Sequence, residues 1–205
     1  MKIKKNKKIA VLASGRGSNF AALAKAVKKG MLKADLALLI CDNPQAAVLD
    51  KAGRAGVKSV LVERKKFPSQ EAFEREIIAL IRKEKTDVVV LAGFMRLLSP
   101  AFVREFKNRI LNIHPALLPS FKGEHGIQDA LNYGVKTTGV TVHFVDEEMD
   151  HGPIILQQTV PIREDDTAET LEKRVHEVEH RLYPQAVKLF VEEKLKVAGR
   201  KVRII

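Results

Sequence analysis

Cysteine is almost absent from this chain: Cys41 stands alone among 205 residues. One thiol excludes an internal disulfide and any multi-cysteine metal site, and it suits a reducing compartment, so a cytoplasmic location is expected. Tryptophan is missing and aromatic residues amount to only 5%, too few for an obvious base-stacking platform. No apolar run approaches the roughly 18–20 residues of a membrane span. The basic start, Met1 to Lys8, has the charge of a signal-peptide front. The apolar run behind it, Ile9 to Ala13, is too short for one and meets Gly15-Arg16-Gly17. The six histidines are scattered without HExxH or comparable spacing, so no metal is expected. A GxSxG nucleophile elbow is also lacking.

Acid is missing from both ends. Residues 1–8 hold five lysines, and 194–205 hold Lys194, Lys196, Arg200, Lys201 and Arg203. Taking those ten from 36 basic residues leaves 26 against 25 acids, so the body is nearly neutral although the chain carries +11. Excess charge confined to the ends serves solubility or loose anion contact more often than a specific site, and no nucleic-acid partner is expected. At this length and with 45% hydrophobic residues, one globular domain over 1–205, with basic tails at 1–8 and 194–205, is the expectation.

What is present alternates between strand and helix. Ile9–Ala13 is a short buried strand, Ser14 to Ser18 a glycine-rich turn, and Asn19 to Lys29 a helix with Phe20, Leu23, Ala24 and Val27 on one stripe. Strands are expected at 34–41, 57–62 and 87–92, with helices at 45–55 and from Ser69 to about Lys83. Four strands separated by helices imply right-handed crossovers and a doubly wound, mostly parallel sheet of the α/β class, which binds ligands at the carboxyl ends of its strands. A short helix from Pro100, a strand into His114, and a mobile loop at Gly123-Glu124-His125-Gly126 follow. A strand at 139–145, with Thr141 and His143 on one face, and another at 154–160 suit an antiparallel hairpin, a long helix runs from Asp166 or Thr167 to about Glu193, and a small hairpin closes around Gly199.

Two stretches carry chemistry. The turn after the first strand aims N–H groups and a helix N-terminus at an anion, a single phosphate rather than a dinucleotide, since neither a Walker loop nor a full GxGxxG is present. The plainer alternative is a tight turn with Ser18 as N-cap. In Leu111-Asn112-Ile113-His114-Pro115-Ala116-Leu117-Leu118-Pro119, Asn112 and His114 sit two apart and share a face of the strand. An amide and an imidazole there suit an oxyanion and proton handling; the alternative is a histidine buried in a turn. Among the carboxylates of 146–150, Asp150 stands out because Gly152-Pro153 shapes the turn behind it. Meeting His114, it would raise the imidazole pKa and hold the ring.

Together with Leu91-Ala92-Gly93-Phe94-Met95-Arg96 and the run from His143 to Pro153, these motifs resemble the phosphoribosylglycinamide formyltransferase family, in order, from about residue 8 to 195. The resemblance implies transfer of the formyl group of 10-formyltetrahydrofolate to the amine of 5'-phosphoribosylglycinamide in purine synthesis, with formyl-folate as cosubstrate. It implies that Gly17, Ser18, Asn19 and Glu179 hold the phosphoribosyl substrate, and that Met95, Arg96, Leu97, Leu98 and Asn112 face the folate. Asn112, His114 and Asp150 match the catalytic trio. Gln70 stands where related enzymes can carry an arginine on the folate tail, a contact that Arg64, Lys65 or Lys66 would otherwise supply. His125 is open between substrate contact and ordinary loop residue, and His143 reads as a supporting or core residue.

A formyltetrahydrofolate hydrolase and a methionyl-tRNA formyltransferase are the enzymatic alternatives. The first normally adds an N-terminal regulatory domain, the second a C-terminal barrel, and neither is expected here. A phosphate-sensing module without turnover is the non-enzymatic alternative.

Overall fold

The computed structural model describes residues 6–205; most of the expected basic start, 1–5, lies outside them. The chain divides into two compact units, one ending at Ile110 and one from Leu111 to Ile205.

In the first unit β1 (Lys7–Ala13) is followed by α1 (Ser18–Lys28), β2 (Ala34–Cys41), α2 (Val48–Arg54), β3 (Ser59–Leu61), α3 (Gln70–Glu84), β4 (Val88–Leu91) and α4 (Pro100–Glu105). β1 pairs in parallel with β2 and β4, and β2 with β3, so β1 and β2 lie inside the order β3-β2-β1-β4. Ile9 to Ala13 of β1 are wholly buried, and every residue of β4 is buried too. That is what unbroken apolar strands require of a parallel sheet covered on both faces. Two helix starts follow their sequence signals. Ser69 accepts from the Ala72 N–H and Ser99 from the Phe102 N–H, with Pro100 in the first turn of α4.

Several boundaries differ from expectation, three of them for reasons visible in the structure. Ser18 is the first residue of α1 rather than its cap; Gly17 precedes it with φ 68°. α2 begins three residues late, because Asn43 captures the chain: its side-chain oxygen accepts from Gln45 N–H at 3.0 Å and its carbonyl from Ala46 N–H at 3.2 Å. β3 is shorter than 57–62, although the Val62 N–H still reaches the Cys41 carbonyl.

The second unit contains all but the first residue of β5 (Ile110–His114), then α5 (Gly126–Tyr133), β6 (Thr137–Phe144), β7 (Ile154–Pro161), α6 (Ala168–Val191), β8 (Leu195–Ala198) and β9 (Lys201–Ile204). The pairs β5–β6 and β6–β7 are antiparallel, β9 runs parallel to β7, and β8 closes the terminal hairpin on β9. The last basic end is therefore a hairpin tied to β7 rather than a tail. α6 starts in a capping box between Thr167 and Thr170 and continues through Pro184. Its buried stripe, Leu171, Val175, Val178, Leu182 and Tyr183, includes a phenol that donates to the Leu111 carbonyl at 2.9 Å. The α/β class, the parallel first half, the antiparallel pair and the long C-terminal helix all stand as expected.

Candidate active site

In the first unit, the loop after β1 has its carbonyl edge occupied. Ser14 accepts from the Asn43 amide at 3.2 Å, Gly15 from the Val48 N–H at 3.2 Å, Arg16 from Lys51 Nζ at 2.6 Å and Gly17 from the Ala21 N–H at 3.0 Å. Gly17 is required twice over: its φ is left-handed, and a Cβ would stand 2.5 Å from Val48 Cγ2. Gly17 and Asn19 are buried and Ser18 is half-buried at this turn.

The segment after β4 is exposed and apolar at its tip, with Met95 64% and Leu97 69% exposed. It is held from below. Glu74, only 3% exposed, accepts from the Ser99 N–H at 2.8 Å and from the Ser99 hydroxyl. Gln70 donates through one nitrogen to Glu74 and to the Leu97 carbonyl, each at 3.0 Å. Its amide nitrogen is thus engaged in fastening the segment that holds Leu97 and Leu98. Arg96 pairs with Asp42, and a cavity of about 420 Å³ opens between Ser14, Asn43, Arg64, Lys65 and Met95.

In the second unit, strand register and one loop bring together the three residues expected to act as a trio, Asn112, His114 and Asp150. Asn112 faces His143 across the β5–β6 ladder and His114 faces Thr141, so four polar side chains share one face. Asp150 enters from the loop between β6 and β7. One carboxylate oxygen stands 3.4 Å from His114 Nδ1 and accepts from the Gly123 N–H at 2.9 Å. The other stands 3.5 Å from the Asn112 amide nitrogen and 3.7 Å from His143 Nε2. The loop at 123–126 is therefore tied to the site through its first residue, while His125 is exposed.

His114 is 3% exposed. Its Nε2–H donates to the Phe121 carbonyl at 2.7 Å, since a carbonyl only accepts. In the neutral ring the lone pair then sits on Nδ1, facing Asp150. Burial pulls the imidazole pKa down, and neither the Asp150 charge nor the Phe121 bond restores it. Asp150 does raise it, as expected, but depth outweighs the neighbouring charge, so the balance lies below the ordinary value. For Asp150 the balance goes the other way. Burial pushes the carboxyl up, but the hydrogen-bonding groups around it, the Gly123 N–H among them, outweigh burial and hold it below the ordinary value. Two facing bases, Nδ1 and a carboxylate, have room for one shared proton, while the Asn112 amide offers N–H donors held only by long bonds, 3.3 Å to His143 and 3.5 Å to Asp150.

Glu179 is buried on α6, 3.8 Å from His176. His143 proves more involved than a core residue: Nδ1–H donates to the Phe144 carbonyl at 2.8 Å, which leaves Nε2 to take the Asn112 amide proton. Phe121 was not singled out from sequence, and Gly123 and Gly126 were expected only as parts of a mobile loop, yet a Cβ on Gly126 would crowd the Phe121 carbonyl at 3.0 Å and His114 Nε2 at 3.4 Å. Only the alternation of Thr141 and His143 signalled any of this. Among the described residues no group of histidine, cysteine and carboxylate side chains could hold a metal ion. Cys41 is buried, and burial pushes its thiol pKa up.

Residues 7–187 match the formyl transferase family model. The chain is 44% identical over 182 residues to phosphoribosylglycinamide formyltransferase of Bacillus subtilis, covering 89% of this chain and 93% of that one. It is 44% identical to the trifunctional purine biosynthetic protein adenosine-3 of Bos taurus, covering 90% of this chain but only 18% of that protein. The crystal structure of glycinamide ribonucleotide transformylase 1 from Symbiobacterium toebii superposes with a TM-score of 0.96 at 43% identity, covering 98% of this chain and 94% of that one.

Proposed function

The chain belongs to the formyl transferase family, and on that premise we propose that it moves the formyl group of 10-formyltetrahydrofolate to the amine of 5'-phosphoribosylglycinamide, a step of purine biosynthesis. The observation that carries the reading is the meeting of Asn112, His114 and Asp150 on one strand face and its loop. Formyl transfer has two demands. The carbonyl oxygen gains charge as the amine adds, and one proton must leave that amine and reach the departing folate nitrogen.

Asn112 meets the first demand, its N–H groups turning from their long bonds to the charged oxygen. The His114–Asp150 pair meets the second. It takes the amine proton into the gap between Nδ1 and the carboxylate, directly or through a water, and later returns it to the leaving nitrogen. While that proton is held, the imidazole is a cation and adds to the stabilisation of the oxygen. His143 holds the Asn112 amide. Gly17, Ser18 and Asn19 present N–H groups to the phosphate, and Glu179 takes the ribose end of the same substrate. The exposed apolar chains of Met95 and Leu97, with Leu98, suit a flat heteroaromatic folate head, and the Gln70–Glu74–Ser99 clamp keeps them in place. Cationic Arg64, Lys65 and Arg96 suit the carboxylates of a folate tail. A cytoplasmic site of action accords with both substrates.

The test is release of deformylated folate with and without phosphoribosylglycinamide. Release only with the amine supports the transferase. Equal release without it means water is the acceptor and the hydrolase alternative holds. His114→Ala should lower kcat on the order of 10²–10³-fold; near-normal turnover would remove His114 from the mechanism.

A further inference from the structure

The C-terminal hairpin reaches the loop that carries Asp150. β9 pairs with β7 at Ile154 and Lys201, which brings the hairpin turn, Gly199-Arg200, beside the residues that lead into β7. Arg200 Nη2 donates to the His151 carbonyl at 2.6 Å, and Nη1 donates to His151 Nε2 at 2.7 Å. A guanidinium has donors only, so the accepting Nε2 carries no proton and the ring N–H lies on Nδ1. That N–H donates to Asp146 Oδ2 at 2.7 Å, and Asp146 Oδ1 accepts from the Glu148 N–H at 3.2 Å. Arg200 thereby grips His151 directly and, through the His151 ring, reaches Asp146 at the start of the acidic loop.

Asp150 needs such a clasp. Its φ of 48° is left-handed, a conformation that a residue with a Cβ keeps only when its surroundings hold it. Behind it, Gly152 is packed so closely that a Cβ would fall on the Phe144 carbonyl oxygen, and the Phe144 N–H bonds to the Pro153 carbonyl at 2.9 Å. Position 151, between the strained residue and the packed glycine, is where Arg200 grips the backbone.

We propose that Arg200 is a positioning residue for the reaction: through the His151 carbonyl and ring, the terminal hairpin holds the Asp150 carboxylate where it takes up and returns the proton. The inference rests on the role given to Asp150 above, and it gives a specific task to one of the five charges that crowd the end of the chain.

The experiment compares Arg200→Ala, Arg200→Lys and Asp150→Asn in full-length enzyme, reading kcat, KM for each substrate, the pH profile of kcat, and recovery by millimolar guanidinium. Misplacing a reacting group by about an ångström costs up to roughly 100-fold. Arg200→Ala should therefore lose on the order of 10–100-fold in kcat with little change in either KM. Its acid limb should move to higher pH, and free guanidinium should restore part of the rate. Arg200→Lys, which keeps one donor and lacks the second arm, should fall between alanine and wild type, and it serves if the alanine variant does not fold. Wild-type kcat and an unmoved acid limb in the Arg200 variants, with only a lower melting temperature, would make Arg200 merely structural and overturn the inference. Asp150→Asn separates the two readings. If it turns over normally, the role of Asp150 is wrong. If it loses turnover while both Arg200 variants keep theirs, only the hairpin's role is wrong.

Discussion

Thr141 takes no part in the chemistry, yet three hydrogen bonds meet at its wholly buried hydroxyl. It donates to the Ala116 carbonyl at 2.7 Å and accepts from the Leu118 N–H at 3.1 Å and the Gln157 amide at 2.9 Å. Gln157 also donates to the Leu118 carbonyl at 3.0 Å, so the turn that leaves His114 is pinned from β6 and β7. Thr141→Val keeps the shape and removes the bonds, stranding the Leu118 N–H and the Ala116 carbonyl in the interior. Stability should fall by about 2 kcal/mol in urea unfolding, within the range for stranded buried groups, and kcat should fall with it as His114 loses its backing. A loss below about 0.5 kcal/mol would mean that the turn holds without the hydroxyl. This residue also marks how far the site was legible in the sequence. Spacing of two put Asn112 with His114, and Thr141 with His143, on common faces. It could not say that Asn112 lies opposite His143, because β5 and β6 are joined by a long connection through α5, so no tight turn fixes their register. Nor could it weigh burial against charge at His114, since depth belongs to the fold.

At the scale of elements, α6 depends on its first turn. Thr167 accepts from the Thr170 N–H at 3.2 Å while Thr170 accepts from the Thr167 N–H at 3.0 Å, and Asp166 adds bonds from Thr170, Arg163 and Arg174. These contacts satisfy N–H groups that a helix start leaves open. Thr167→Ala should cost about 1 kcal/mol, read as a lower denaturation midpoint with an unchanged slope. An unchanged midpoint would show that Asp166 and Thr170 suffice alone. The start of this helix was legible because two capping residue types, Asp166 and Thr167, stand directly ahead of an apolar period. α2 was not legible to the same degree, because its true start is decided by bonds to Asn43 that compete with helical ones. The terminal hairpin was expected around Gly199, but the purpose of its charge lay in a contact with His151, which has no local sequence signal.

For the whole molecule, pH tells how the buried groups are balanced. His114 in the folded chain has a pKa below the ordinary imidazole value, burial being the larger cause. The unfolded chain therefore binds more protons than the folded one as pH drops below about 6.5. The sign follows: His114 contributes stability that is present above the unfolded pKa and is lost as pH falls through the folded one. Asp150, also held below its ordinary value, adds a second loss that begins lower, near pH 4. Carboxylates paired with lysine, such as Glu63 and Glu84, titrate in that lower window too, so they do not obscure the first. The melting temperature should fall between pH 7 and pH 5, and His114→Gln, which removes the titrating ring, should flatten that part of the curve while leaving the decline below pH 4. A variant whose melting temperature follows the wild-type slope from pH 7 to 5 would show that the charge of His114 is not excluded by the fold. Its resting neutrality, and with it the shared proton at Asp150, would then have to be abandoned.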